Sequence, residues 1–570
     1  MTRARLCVLL LAACGGDDAE LPGIDADPVD ACASPPTWDT FARPLLDTWC
    51  NACHGSEVEG ALRSGAPVDV ALDDYVGAVA WGARIAERTY GPTGGMPPSG
   101  QISAEDLALL EEWINCGMPG EPSTSTHACD VRVPHAGDVV VGAGDDPCAG
   151  GWNAIDGDLA VEADVSLSCL CDVTGDVAVG GAATALDAPA LQAIGGDLTT
   201  TGATALGVLT LPALTRIDGD LVLRDLPADE VTVEQLASVG GSVIVLDVPA
   251  LRALGLPRLE SVGGDLRLEA CPLLADADSL RGLATVGGDI VLDGLPALTG
   301  DPYRGFDALL RISSVGGSVH VSGTGIVALW SFQELADIPG SLHIGANGAL
   351  EELGGLHELA TVGGRVMIEE NPYLRTIVAL PALTSIGAGK PWPEGGLVIR
   401  DNRSLEALPA LPALATLQAL DVLDCETLVA IDGFGGLLTA LPGGLRLVGN
   451  EHLEGVTSFT ALASVGELLV DDDPALSEIP LPALESAANV TIARTGLPAV
   501  YGIGELEDVT GTLTIAENPA LTSLIALDVV TVAGDVIVQD NPALPQAGAQ
   551  AVVDAIPSVG GSRTVTGNGP

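Results

Sequence analysis

From about Ile155 to the C-terminus the apolar residues fall into one returning phrase, a glycine corner followed by three residues that alternate apolar, variable, apolar. It reads V-G-G-S-V-I-V at 239, V-G-G-D-L-R-L at 262, V-G-G-D-I-V-L at 286, V-G-G-S-V-H-V at 315, I-P-G-S-L-H-I at 338, V-G-G-R-V-M-I at 362 and V-A-G-D-V-I-V at 532, and most spacings are 21 to 24 residues. A period of that size predicts a solenoid, in which each unit buries its apolar edge only by stacking on its neighbours. The alternation turns Val243 and Val245 inward and Ile244 outward, which predicts a parallel β-ladder. Three residues after the second inward residue an asparagine recurs, at Asn347, Asn371, Asn402, Asn450, Asn518 and Asn541. Its side chain is suited to bond backbone groups of the adjacent coil at a turn.

The N-terminal part has a different rhythm. Trp38, Phe41, Leu45, Leu46 and Trp49 recur at helical spacing, which predicts a short amphipathic helix. S-A-E-D-L-A-L-L-E-E-W-I-N from Ser103 to Asn115 predicts a second one: a serine N-cap, acids in the first turn, and Leu107, Leu110, Trp113 and Ile114 on one face. Beyond the first residues no apolar run is long enough to span a bilayer.

Composition narrows the function. The chain has 570 residues, 47% hydrophobic but only 3% aromatic, with 72 glycines, as a repetitive aliphatic core requires. A net charge of −54, with Lys390 the single lysine, excludes nucleic acid as a partner, because phosphate binding depends on basic residues. Its acidic residues read first as solubility, and no D-x-D-x-D-G calcium loop is present. M-T-R-A-R-L-C-V-L-L-L-A-A-C-G-G joins two arginines to a short apolar run and a cysteine; Leu11-Ala12-Ala13-Cys14 resembles a bacterial lipobox, which implies a signal over 1–14, acylation of Cys14 and a membrane anchor. Residues 15–35 then read as a flexible tether. The resulting location is the bacterial cell envelope, outer membrane preferred, facing the periplasm or the exterior.

The candidate chemistry lies in W-C-N-A-C-H-G at 49–55. In an exported chain, C-x-x-C-H is the attachment signature of c-type haem: Cys50 and Cys53 reach the two vinyl groups, and His54 is placed under the iron. Between Gly15 and Thr126, His54 is the only histidine and lysine is absent, so the sixth ligand falls to methionine. Met96, in G-G-M-P-P-S-G between the two expected helices, fits better than Met118 beyond the second. The competing reading is a structural zinc on Cys50, Cys53, Cys32 and Cys116, which leaves His54 and the Met96 loop unexplained. Cys32 and Cys116 flank the segment and more economically form a disulfide.

W-C-N-A-C-H-G, G-G-M-P-P-S-G and L-L-E-E-W-I-N-C-G together resemble a monohaem cytochrome c domain of the class I type over residues 36–120. That resemblance implies one covalent haem c, thioethers from Cys50 and Cys53, His54 and Met96 as axial ligands, and a raised potential. The repeats resemble the receptor L-domain kind of leucine-rich, right-handed β-solenoid over residues 151–568, joined through a Cys-containing linker at 121–150. The expected fold is therefore multidomain: a small all-α cytochrome c domain plus a long all-β solenoid of about 17 coils, on the order of 80 Å long at about 4.8 Å per coil. Among outward middle positions are Arg267, His320, His343 and Met367. The two histidines occupy consecutive coils and should be neighbours, with a solvated face as the default and metal binding as the sharper alternative.

These readings make the chain a membrane-anchored electron-transfer protein without enzymatic activity, working with a redox partner the sequence does not name. The runner-up is a surface adhesion or binding protein whose solenoid takes a protein or polysaccharide ligand, with the haem domain accessory or sensory. A peroxidase would need a second C-x-x-C-H, and there is one.

Overall fold

The computed structural model describes residues 36–50, 54, 70, 72, 78–79, 81–89, 102–116, 118, 129, 131–200, 202–301 and 303–570. The chain divides into two compact units, Met1–Thr126 and His127–Pro570. Cys14, Cys32, Cys53 and Met96 lie outside the described residues.

The second unit is a mostly-β solenoid of about 19 turns over residues 134–566. Strands of successive coils pair in parallel and in constant register: Leu221, Val243, Leu266, Ile290, Val319 and Leu342 stand over one another. As the alternation predicts, Val243 and Val245 are fully buried while Ile244 is half-buried on the outer row. The inward column is aliphatic throughout this stack, so each coil presents to the next a flat apolar edge that would be exposed if the coil stood alone.

Two corrections concern extent. Pairing begins at Pro134–Ala136, which lies on Ala154–Asp156, and Val139–Val141 lies on Leu159–Val161. The segment 121–150, expected as a linker, therefore contains the first coil, and the count rises from 17 to about 19. The coil at 134–141 escaped the repeat because it lacks the V-G-G phrase and carries only G-D followed by the alternating triplet. The unit is also not purely β. A helix, Gln546–Ala555, occupies the last coil, and Gln546 accepts there from the Asn568 backbone N–H (3.3 Å) and side-chain amide (3.1 Å).

Side-chain ladders run along the stack. In the expected one, Asn347 accepts from the Thr324 N–H (3.1 Å) and donates to the Val321 carbonyl (3.0 Å). Asn371 repeats this on Asn347 N–H and Ile344 O, and Asn518 and Asn541 do so further along. All four are buried, so each satisfies backbone groups that water cannot reach. The residue just before the ladder position is left-handed in coil after coil, as at Asp247 (φ 55°), Asp401 (φ 53°) and Asp540 (φ 57°). Aspartate and glycine tolerate that conformation best.

A second ladder was not foreseen. The residue after the glycine corner accepts from the backbone N–H of its counterpart one coil on: Asp220 from Ser242 (2.6 Å), Ser242 from Asp265 (3.0 Å), Asp265 from Asp289 (2.8 Å), Asp289 from Ser318 (2.6 Å). Part of the large acidic content is thus structural, not merely solubilising. The corner glycine is fixed by stacking: a Cβ at Gly263 would run into the Gly240 carbonyl oxygen.

Disulfides Cys129–Cys171 and Cys148–Cys169, with Cα atoms 5.5 and 5.6 Å apart, staple the first coils, and Cys116 is also disulfide-bonded. Cys271 and Cys425 are free and fully buried, as the axial distance between their coils requires. Both occupy the asparagine-ladder position, where the Cys271 thiol donates to Glu269 O (3.3 Å) and the Cys425 thiol to Leu423 O (3.5 Å). Burial pushes the Cys425 thiol up to about 12. Alkylation of the native protein near neutral pH should therefore leave both thiols unmodified, and alkylation in denaturant should label both. Labelling of Cys425 in the folded chain would contradict its place in the stack.

In the first unit, a π-helical turn Trp38–Ala42 runs into helix α1, Arg43–Trp49. Helix α2 is Gly82–Thr89 and helix α3 is Ala104–Asn115. As expected, α3 is capped by Ser103, whose hydroxyl accepts from Asp106 N–H at 3.0 Å. Helix α2 is an addition to the expected pair; only Ile85 in it is a large apolar residue, too little for a periodic signal.

Candidate functional site

Beside Cys50, the residues Trp38, Ala42, Leu45, Leu46, Leu72, Ile85, Ile102, Leu110 and Trp113 form a buried cluster, with the Trp38 and Trp113 ring centroids 6.1 Å apart. Leu107 and Ile114 pack on its edge, so the face expected for α3 is the face it buries. Helix α1 ends at Cys50, whose N–H donates to Leu46 O at 2.7 Å. The His54 N–H in turn donates to Cys50 O at 2.9 Å, and His54 O accepts from Leu72 N–H at 2.9 Å. These bonds hold the first cysteine and the histidine of the motif one helical turn apart, half-buried beside the apolar cluster. Cys53 and Met96, the other expected haem contacts, are outside the described residues. Met118 is half-buried with φ 55°, and a Cβ on Gly82 at the start of α2 would overlap its thioether. Its side chain is thus packed against that helix.

On the solenoid the outward middle row brings together what its period suggested. His320 lies beside His343 and His343 beside Met367 in strict register. The two imidazoles approach to 2.8 Å between Nδ1 atoms, with ring centroids 4.6 Å apart. His343 Nε2 meets Glu369 Oε1 at 3.1 Å, and the other Glu369 oxygen accepts from Arg400 Nη2 at 2.6 Å. Burial, and after it the neighbouring His320, hold the His343 imidazole below its usual range. Glu369 and Arg400 were absent from the sequence reading, which followed the middle row; both sit two residues further on, on the next outward row.

Three coils along, a second polar cluster is largely enclosed. Arg446 contacts Asp421 (3.0 Å), Glu467 (2.7 Å) and the Gly443 carbonyl (2.8 Å), and its guanidinium lies 5.0 Å from the Trp392 ring centroid. Trp392 belongs to an insertion that lengthens its coil: the ladder step from Asn371 to Asn402 spans 31 residues.

No protein-family model matches the chain, and no curated protein matches it. Among the described residues, no helix is long and apolar enough to cross a membrane, and no three His, Cys, Asp or Glu side chains form a metal-binding group.

Proposed function

We propose that the protein is an extracytoplasmic c-type cytochrome, lipid-anchored through Cys14, that passes single electrons through one covalent haem while the solenoid displays it or docks a partner. The observation that carries this reading is the C-x-x-C-H motif, with Cys50 and His54 held in one helical turn at the edge of an aromatic and aliphatic cluster. Cys50 and Cys53 would hold the porphyrin, and His54 with Met96 the iron. Bound there, the haem would supply a reversible one-electron couple, and the surrounding Trp38, Leu46 and Trp113 would supply the low-dielectric wall that keeps water from it. Packing of Met118 against α2 supports Met96 as the distal ligand.

The test is the absorption spectrum of the reduced full-length protein. A sharp c-type band that persists in denaturant is expected, and a colourless protein would end this reading. Met96→Ala should keep the haem attached but abolish the methionine-to-iron charge-transfer band and lower the potential. Loss of that band in Met118→Ala instead would move the ligand. The second reading, a surface binding protein with an accessory haem domain, is favoured by one observation, the ordered polar row at His320, His343 and Glu369 on an outward face.

A further inference from the structure

The His320–His343 pair is built, not incidental. Glu369 accepts from His343 Nε2–H, which leaves His343 Nδ1 with its lone pair, aimed at His320 Nδ1 2.8 Å away. Arg400 fixes Glu369 from its far side at 2.6 Å. The His343 ring extends over Gly345, where any Cβ would collide with the ring nitrogen. The pair remains accessible: the His343 side chain is 22% exposed.

With His343 Nδ1 as the acceptor, the 2.8 Å contact requires His320 Nδ1–H to donate. If that proton moves to His320 Nε2, both Nδ1 lone pairs face one gap, with no net change in charge. Metal–imidazole bonds are about 2.0–2.1 Å, so nitrogens this close can share an ion. A carboxylate behind a ligand histidine is the usual outer-shell support of a metal site, because it sets the tautomer and raises the basicity of the coordinating nitrogen.

The identity of the ion follows from the donors present. No third His, Cys, Asp or Glu converges on the pair among the described residues, so a three-ligand zinc site of those residues is not available. A site built of imidazoles binds Cu(II) more tightly than Zn(II) and suits neither calcium nor magnesium, and Met367, the register neighbour of His343 on the side away from His320, puts a soft thioether next in the row. The strongly negative chain further favours a cation. We propose that His320 and His343 form a copper-binding site on the outer face of the solenoid, with Glu369 as its orienting carboxylate and the Met367 thioether, next in the row, as a further soft donor. This proposal is independent of the haem reading.

The experiment is a titration of the full-length protein with Cu(II) followed by electron paramagnetic resonance, and with Cu(I) under anaerobic conditions by competition against a chromophoric chelator. One copper per chain with nitrogen hyperfine structure is expected, absent from the H320Q/H343Q double variant. Glu369→Gln should weaken binding by about 10- to 100-fold, the usual cost of removing an outer-shell partner. Met367→Leu should weaken Cu(I) by about tenfold or more and Cu(II) much less, since the thioether prefers the softer ion. All four positions face outward, and unchanged circular dichroism will separate lost binding from lost folding. Copper stoichiometry and resonance unaltered in the double variant would overturn the site, as would Zn(II) binding as tightly as Cu(II). Cu(I) affinity unaltered in Met367→Leu would overturn the part assigned to the thioether.

Discussion

Arg446→Ala should weaken the solenoid by about 3–5 kcal/mol, the range found when one member of a buried ion pair is removed. Asp421 is 5% exposed, and its carboxyl is already raised by burial, with Arg446 the main opposing influence. Without the guanidinium, the carboxylate must either be held uncompensated or take up a proton, and the Gly443 carbonyl and one face of Trp392 lose their partner at the same time. Because each coil rests only on its neighbours, the loss should be local: amide exchange should accelerate first in the strands Ala419–Leu423 and Gly444–Val448, while the coils near Val243 keep their protection. Replacing both partners, as D421N/R446M, should recover most of the stability, since neither charge is then left buried alone. A loss below about 1 kcal/mol for Arg446→Ala would mean the cluster behaves as an exposed pair.

What could be read beforehand follows from which signals are periodic. The strand alternation and the asparagine ladder recur at a fixed offset, so Asn347 and Asn371 were assignable to a coil-to-coil contact from spacing alone. The aspartate and serine ladder has the same period, but Asp220 and Ser242 share an acceptor and not a residue type, and acids beside glycine also read as ordinary solvated turns. Cys271 and Cys425 were legible as unpaired from distance, yet their reason, a thiol in place of the ladder amide, requires the register. At the His pair, adjacency was visible in the period, whereas Arg400 could not be placed because the Trp392 insertion lengthens the step to its coil. The C-x-x-C-H motif is local in sequence; Cys53 and Met96, the partners proposed for it, lie outside the described residues.

Asp473→Asn should stabilise the solenoid, and only above acidic pH. Asp473 stands at an asparagine-ladder position: its Oδ1 accepts from the Asn450 N–H (2.8 Å) and side-chain amide (3.1 Å). In each true ladder asparagine the amide nitrogen donates to a carbonyl of the preceding coil, as Asn450 does to Val422 and Asn518 to Ile492. By the same register the second oxygen of Asp473 faces the Leu447 carbonyl, an acceptor against an acceptor, and that oxygen is buried with no hydrogen-bond partner. A proton on it turns the carboxyl into an amide mimic, one donor and one acceptor. Burial pushes Asp473 up to about 7, against the two Asn450 bonds and with further help from Asp471 and Asp472. The folded value thus lies above the unfolded value of about 3.9, so the sign is opposite to that of a salt-bridged carboxylate. Below about pH 4 both states carry the proton; between there and pH 7 only the folded state does, and stability falls as pH rises, by on the order of 4 kcal/mol in total, then levels off. The asparagine variant lacks this loss, because its amide keeps both bonds at every pH. Exchange protection in the flanking strands Ser464–Asp471 and Ser486–Ala493, compared between variant and parent, should match at pH 4 and favour the variant at pH 8 by roughly 2–4 kcal/mol. A difference of the same size at both pH values would assign the gain to packing, and a less stable variant at pH 8 would mean that the buried carboxyl holds its charge.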